Sequence, residues 1–323
     1  MCREVETFQV YPGIELTFSR VSADKYLIRH KPQASVMHIN HCRQGRIGWK
    51  MKNGLTFYMG PGDLLLHMMD CCSDSEMSLP LGYYEGVSIS VDLELMTAKP
   101  PEILQEAGID GKQLYRKFFS DGKPVAMPAS DKIEHIFSEL YDLPKNVRIP
   151  YYKLKVQELM LFLSIMEISR ENELNQHLSQ QVEVIKEIHE QLTGDLRRRY
   201  TIEELAREYL INTSSLKTVF KAVYGLPVAS YMKNYRLKEA ARRLQSGNDS
   251  IAAIAGAVGY ENQSKFTKAF KEMYRMLPTE YRKQFVFGST SERTWESIPE
   301  RTREWTPGET PDREGMKDEP DKI

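Results

Sequence analysis

From Val10 to about Asp92 the chain alternates apolar and polar positions in short β-rich runs, among them Ile14-Glu-Leu-Thr-Phe18, Ser35-Val-Met-His-Ile39 and Gly86-Val-Ser-Ile-Ser-Val91. Glycine, proline and asparagine separate these runs, which marks them as strands joined by turns. Asn53-Gly54 predicts a hairpin turn, and Gly60-Pro61-Gly62-Asp63 a second turn feeding the next strand. Strands this short and closely spaced predict a barrel or a sandwich. After Asp92 the period becomes helical, over residues 101–107, 112–119, 131–143 and 151–173. In the last of these, Leu154, Leu159, Phe162, Leu163, Ile165, Met166 and Ile168 are too many for one narrow stripe. That helix is expected to pack on more than one side, against its own barrel or a second subunit. Residues 170–179 are polar and proline-free and read as a short linker, while residues 288–323 have almost no aliphatics and are expected to be disordered.

Between these polar stretches the apolar pattern repeats. Thr201 is placed to cap a helix with Glu204 at its third position, and Ile202, Leu205 and Ala206 form the apolar face. The helix gives way at Leu210-Ile211, and Asn212 then precedes a second helix carrying Leu216, Val219, Phe220 and Val223 at i, i+3, i+4 and i+7. The second copy has Ser250 before Ile251, Ile254, Ala255 and Val258, a sharp turn at Gly259, and Asn262 before Phe266, Ala269, Phe270 and Met273. Its turn is one residue longer. A helix pair with a small residue at the crossing, Ala206 or Ala255, can approach closely enough to project its second helix outward.

Charge gives this repeat a direction. The chain has 323 residues, enough for two domains, 41% hydrophobic residues and a formal net charge of -1. Residues 183–287 nevertheless hold 18 basic against 12 acidic residues, so the positive charge is local and points to a polyanion for that segment alone. The outward positions of the second helices are Ser214, Lys217, Thr218 and Lys221 in the first copy, and Ser264, Thr267, Lys268 and Lys271 in the second. Hydroxyl donors and cations without carboxylates suit base edges and phosphates of double-stranded DNA. The most apolar stretch, residues 159–168, contains Glu167 and is flanked by Glu158 and Arg170, so no membrane span is expected. The charged N-terminus does not read as a secretory signal, which leaves the cytoplasm.

The segment from Val182 to Phe285 resembles the AraC/XylS transcriptional regulators, most specifically in Ser250 to Lys271 (SIAAIAGAVGYENQSKFTKAFK) followed by Leu277-Pro-Thr-Glu-Tyr-Arg282. The resemblance implies two helix-turn-helix units joined by a linker helix, matched by Val228 to Gln245. It implies second helices that enter successive major grooves about one helical turn apart. Its base-facing positions correspond to Ser214, Lys217 and Thr218, and to Ser264, Lys265 and Lys268. Leu210 and Arg275 stand where the family commonly has glycine; if the position of Arg275 needs a positive φ, the arginine costs about 1 kcal/mol or forces another turn. Regulators similar to this one carry an N-terminal cupin-like barrel that binds a small molecule, with dimerising helices behind it.

The N-terminal half gathers His30, His38, His41, Cys42, His67, Cys71 and Cys72, residue types that ligate zinc and similar ions. Strand alternation puts His38 and Cys42 on one face and His41 on the other, which argues against a shared ion; a metal- or thiol-responsive regulator stays as the alternative. Vicinal Cys71 and Cys72 are poorly disposed for an ordinary disulfide. Ile47, Trp49 and Met51 share one strand face and Phe57 and Met59 the next, a core or an apolar pocket; Trp49 and Tyr83 are the candidate ligand contacts. The chain has no GxSxG, HExxH, GxGxxG or GxxxxGK[ST] pattern, so a cupin-type enzyme with an accessory DNA-binding region is disfavoured, and no catalytic residue, metal or cofactor is assigned.

The reading is therefore an α+β chain: residues 1–178 a cupin-like sensor and dimerisation domain with trailing helices, 179–287 an all-α DNA-binding domain, and 288–323 a tail. Expected partners are DNA, a small-molecule effector of unknown identity, a second copy of the chain and RNA polymerase, for an activator or a repressor.

Overall fold

The computed structural model describes residues 2–23, 25–28, 33–50, 54–72, 75–167 and 176–286. The chain divides into two compact units, Met1–Ser179 and Gln180–Ile323. The 288–323 tail, most of the 170–179 linker, His30 and Met51 lie outside the described residues, as do the side chains of Cys2, Cys71 and Cys72.

The first unit begins with strands β1 (Cys2–Tyr11), β2 (Ile14–Ser22), β3 (Lys25–Ile28), β4 (Val36–Gly45), β5 (Ile47–Lys50), β6 (Leu55–Met59), β7 (Leu64–Met68), β8 (Ser75–Ser78) and β9 (Tyr83–Asp92). Helices α1 (Leu93–Ala98), α2 (Glu102–Glu106) and α3 (Gly111–Phe119) follow, then β10 (Val125–Met127), α4 (Asp131–Phe137), α5 (Arg148–Ile165) and β11 (Gln176–Leu178). Among the described residues the strands form a six-stranded sheet in the order β1-β2-β9-β4-β7-β10 and a five-stranded sheet in the order β11-β6-β5-β8-β3. The pairings are antiparallel, and none among the described residues joins one sheet to the other. β5 and β6 pair antiparallel from Ile47↔Met59 to Lys50↔Thr56, while Asn53 of the predicted turn lies outside the described residues.

Alternation along the six-stranded sheet serves two cores. One face sends Leu16, Met37, Ile39, Leu66, Val87 and Ile89 against Leu104, Phe118, Phe137, Val156 and Leu159 of the helices. The opposite face sends Val21, Cys42, Leu65 and Tyr84 against Ile47, Trp49, Phe57, Met59 and Met77 of the second sheet. Each fully buried side chain of this size stabilises the fold by about 1.5–3 kcal/mol. α5 buries Tyr152, Val156, Leu159, Met160 and Leu163 but leaves Leu154 60% and Ile165 81% exposed, so its own sheet covers one side only. The segment expected as a linker ends differently: Gln176–Leu178 pairs with β6, Leu178 opposite Leu55. A polar composition hid this strand, whose pairing comes from the free backbone edge of β6.

The second unit, among the described residues, is helical: α6 (Ser179–Gly194), α7 (Ile202–Glu208), α8 (Thr213–Tyr224), α9 (Val228–Ser246), α10 (Ile251–Ala257), α11 (Gln263–Tyr274) and α12 (Pro278–Val286). The chain is thus α+β, with antiparallel sheets in one unit and helices in the other. α6 buries Val182, Ile185, Ile188 and Leu192 on one stripe. Its His189 ring stacks on Tyr224 with centroids 4.3 Å apart, and its Nε2 shares a 2.9 Å hydrogen bond with the Tyr231 hydroxyl.

Burial lowers the His189 pKa from 6.5 to about 4. Between those values the unfolded chain binds a proton that the folded unit lacks, so stability is full above pH 6.5 and is lost as pH falls toward 4. One such proton contributes a slope of up to about 1.4 kcal/mol per pH unit. His189→Gln is expected to flatten the fall in stability between pH 6.5 and 4.5 relative to the parent chain, as measured by urea unfolding. The comparison removes the contribution of His41, which burial also holds low, at about 3. Parallel slopes in the two proteins would show that His189 is not the group responsible.

Candidate nucleic-acid interface

The two repeats fold as two helix pairs, α7–α8 and α10–α11. In the first, Thr201 and Glu204 form a capping box: the Thr201 hydroxyl accepts from Glu204 N at 3.1 Å, and Glu204 Oε2 accepts from Thr201 N at 2.7 Å. In the second, Ser250 Oγ accepts from Ala253 N at 3.1 Å. The turns are built alike, since Ile211 N donates to Ala206 O at 3.0 Å and Tyr260 N to Ala255 O at 2.9 Å. Leu210 and Gly259 take the corresponding left-handed positions, at φ 52 and φ 82. Ala206 and Ala255 are buried at the crossings, where a larger side chain would separate the helices.

Asparagine fixes the start of each outer helix. Asn212 Oδ1 accepts from Ser215 N at 2.7 Å, and Asn262 Oδ1 from Ser264 N at 2.7 Å and Lys265 N at 3.4 Å. Neither α8 nor α11 has an acidic residue in its first turn, whereas α7 has Glu203 and Glu204. The positive ends of the α8 and α11 dipoles are therefore left for an external anion. The inward faces carry Leu216, Val219, Phe220 and Val223 in α8, and Phe266, Ala269 and Phe270 in α11.

That burial turns the expected contact residues outward. Ser214, Lys217, Thr218 and Lys221 of α8 are exposed, as are Ser264, Lys265, Lys268 and Lys271 of α11, with Thr267 half-buried beside them. Among the described residues no carboxylate pairs with Lys217, Lys221, Lys265, Lys268 or Lys271, while the flanking Glu272 is 3.4 Å from Lys233 of α9. Each outer helix thus presents a cationic, hydroxyl-bearing face held by a capped N-terminus.

A family described as a helix-turn-helix domain matches residues 205–284. An AraC-like transcription regulator of Streptomyces lividans is 38% identical over 92 residues, 28% of this chain and 30% of the relative. The transcriptional activator AarP of Providencia stuartii is 30% identical over 106 residues, 33% of this chain and 78% of AarP. The chain belongs to the AraC/XylS family. The regulator YisR of Bacillus subtilis extends the likeness beyond the helical unit, at 30% identity over 167 residues, 49% of this AraC/XylS chain and 56% of YisR. With the Streptomyces lividans relative the match spans less than a third of that protein's length.

The N-terminal unit of this AraC/XylS chain does not bring Trp49 and Tyr83 together. Trp49 is 2% exposed between the sheets, packed in the cluster with Phe57 and Met77. Tyr83 lies on the other face of the six-stranded sheet and donates its hydroxyl to Glu85 at 2.7 Å; Arg20 and Arg43 also bind Glu85, at 3.2 and 3.0 Å. Glu85 and both arginines line an open cleft of about 260 Å³ with Tyr141, Arg148 and Tyr152.

A polar row on the inter-sheet face was not singled out from sequence. His38 and His67 are register partners with ring centroids 5.4 Å apart. Ser90 Oγ lies 3.1 Å from His38 Nε2, Asn40 Nδ2 3.0 Å from His67 Nε2, and Ser88 donates to Asn40 Oδ1 at 2.7 Å. Aligning β4 against β7 and β9 by their alternation would have found it. His41 points the other way and stacks on Phe137 at 4.1 Å, while burial pushes the Cys42 thiol pKa up and leaves it protonated. Among the described residues no three histidine, cysteine or acidic side chains group as metal ligands, and no helix is long and apolar enough to cross a membrane.

Asn262→Ala is expected to lower stability by about 1 kcal/mol and to speed amide exchange at Ser264 and Lys265, the two amides its side chain satisfies. Exchange rates that stay at parental values would mean that this cap does not hold the start of α11.

Proposed function

We propose that the protein is a sequence-specific transcription regulator that reads double-stranded DNA with α8 and α11. The observation that carries this reading is the pair of exposed faces free of unpaired carboxylates, Ser214, Lys217, Thr218 and Lys221 on one helix and Ser264, Lys265, Lys268 and Lys271 on the other. AarP, a transcriptional activator by name, supports the same reading. Residues 179–287 would then be the DNA-binding domain and 1–178 the sensor, its sheets a cupin-like frame. Such a regulator works in the cytoplasm, without catalysis, and activation would bring it beside RNA polymerase.

The effector would be a small molecule with hydrogen-bonding groups, taken by the open cleft beside Arg20, Arg43 and Glu85 in preference to the packed Trp49. A metal- or thiol-responsive mechanism is less favoured, since Cys42 is a buried thiol and His41 faces the opposite core. Effector binding would shift how two copies engage paired sites. The homodimer is proposed to form along α5, where Leu154 and Ile165 lie on the side away from the buried Val156, Leu159 and Leu163.

Three experiments test these readings. DNA fragmented from the host genome, retained on the protein at physiological salt and sequenced, is expected to be enriched in sites with two short motifs about one helical turn apart. Lys268→Ala is expected to weaken such sites by about 1–3 kcal/mol or relax one base position, with the melting temperature unchanged because the side chain is exposed. Unaltered site preference and affinity would remove Lys268 from the interface. Separately, Leu154→Glu is expected to convert dimer to monomer in sedimentation equilibrium, and a parent chain that is monomeric at micromolar concentration would refute the α5 interface.

A further inference from the structure

Two helices reading one duplex must keep a fixed distance and phase, because a base pair advances the groove by about 3.4 Å. In the second unit, the turns at Gly225 to Pro227 and Gly247 to Ser250 join α9 to the two helix pairs. A further connection runs through the segment that precedes α7, residues 195–200. Its downstream end enters the first helix pair directly at the Thr201 capping box, and Leu196 and Tyr200 anchor it by burial. Two residues before that box, Arg199 Nη2 donates to Gly259 O at 2.7 Å, in the turn of the second helix pair. From α9, Arg236 Nε donates to Leu196 O at 3.2 Å and its Nη2 to Arg198 O at 3.5 Å. The approach is backbone to backbone: a Cβ on Gly259 would lie 2.1 Å from Leu196 O and 3.3 Å from Arg236 Nε.

We infer that residues 195–200 are a strut that sets the spacing between the two DNA-reading helices, with Arg199 and Arg236 as its positioning residues. The inference rests on the proposed reading of DNA. The segment's downstream end is tied to the first helix pair, Arg199 and the Leu196 carbonyl meet the turn of the second, and the Leu196 and Arg198 carbonyls are held by the linker helix, so a shift of α11 relative to α8 must break the Arg199 to Gly259 bond or move the capping box. Neither arginine lies on α8 or α11, so neither needs to touch DNA to act.

The test uses the full chain. Paired motifs are first obtained by selection from random DNA, and gel-shift affinities are then measured on the preferred spacing, on spacings one base pair shorter and longer, and on DNA with a single motif. The parent chain is expected to lose at least tenfold in affinity for each altered spacing. For Arg199→Ala the loss falls below threefold, single-motif affinity stays within twofold, and Arg199→Lys recovers part of the discrimination. Arg199 is exposed, so Arg199→Ala is expected to fold, which a circular-dichroism melt verifies. Unchanged spacing discrimination in folded Arg199→Ala would overturn the strut. A comparable loss on single-motif DNA would also overturn it, by making Arg199 a DNA contact. A parent chain that selects no paired motif would overturn the DNA-reading proposal itself, and the strut with it.

Discussion

The C-terminal unit depends on a buried positive charge. Arg236 is 3% exposed, and burial lowers its pKa to about 10, so it remains a cation at neutral pH. Taking a guanidinium out of water costs several kcal/mol unless its donors find partners. Here two of them find the carbonyls of Leu196 and Arg198 in the loop before α7. A hydrophobic residue of similar volume could fill the space but would make neither bond. The charge therefore does what packing alone cannot: it specifies where the loop before α7 crosses α9. The position of Gly259 follows from that crossing, since it meets the loop at the Leu196 carbonyl and through the Arg199 side chain.

In the N-terminal unit the organising constraint is the two-residue period of one sheet. Because successive residues of β4 face opposite ways, Met37 and Ile39 join the helix-side core, and His41 with them, while His38, Asn40 and Cys42 face the other sheet. The inter-sheet face is divided along its length. Near Cys42, Leu65 and Tyr84 it is apolar and filled; near His38, Asn40 and His67 it is lined by hydrogen-bonding groups. Polar side chains beside an apolar core must bind one another or something else. Here they bind one another, so this polar end of the face is satisfied within the two sheets and the apolar end is filled.

How much of this could be read from the sequence depends on the distance over which each feature is determined. Caps and turns are local: Thr201 with Glu204, Asn212, Ser250, Asn262 and the sharp turn at Gly259 are placed by residues within a few positions of each other. The outward lysines of α8 and α11 follow from helical period, because Leu216, Phe220, Phe266 and Phe270 fix which way is in. Pairings between distant strands are another matter. His38 meets His67 through a register set by the whole β4–β7 ladder, and Gln176–Leu178 becomes a strand only because β6 offers it an edge. Trp49 reads as core more readily than as pocket from its own strand, and the facing sheet confirms the core.

The two helix-turn-helix turns separate two reasons for glycine that sequence comparison merges. Both turns need a left-handed residue, supplied by Leu210 at φ 52 and Gly259 at φ 82. Leucine there costs about 1 kcal/mol in backbone strain, and Leu210, 94% exposed, meets no obstacle beyond that. Arg275, at φ 58 after α11, is tolerated for the same reason. Gly259 could not be exchanged on those terms, because any side chain would collide with the Leu196 carbonyl as well as strain the backbone. A family-wide preference for glycine thus has one component that a single residue can absorb and one that belongs to a tertiary contact. In this chain the second component survives only at the turn that the 195–200 segment touches, so the requirement for glycine there follows from that contact and not from the turn itself.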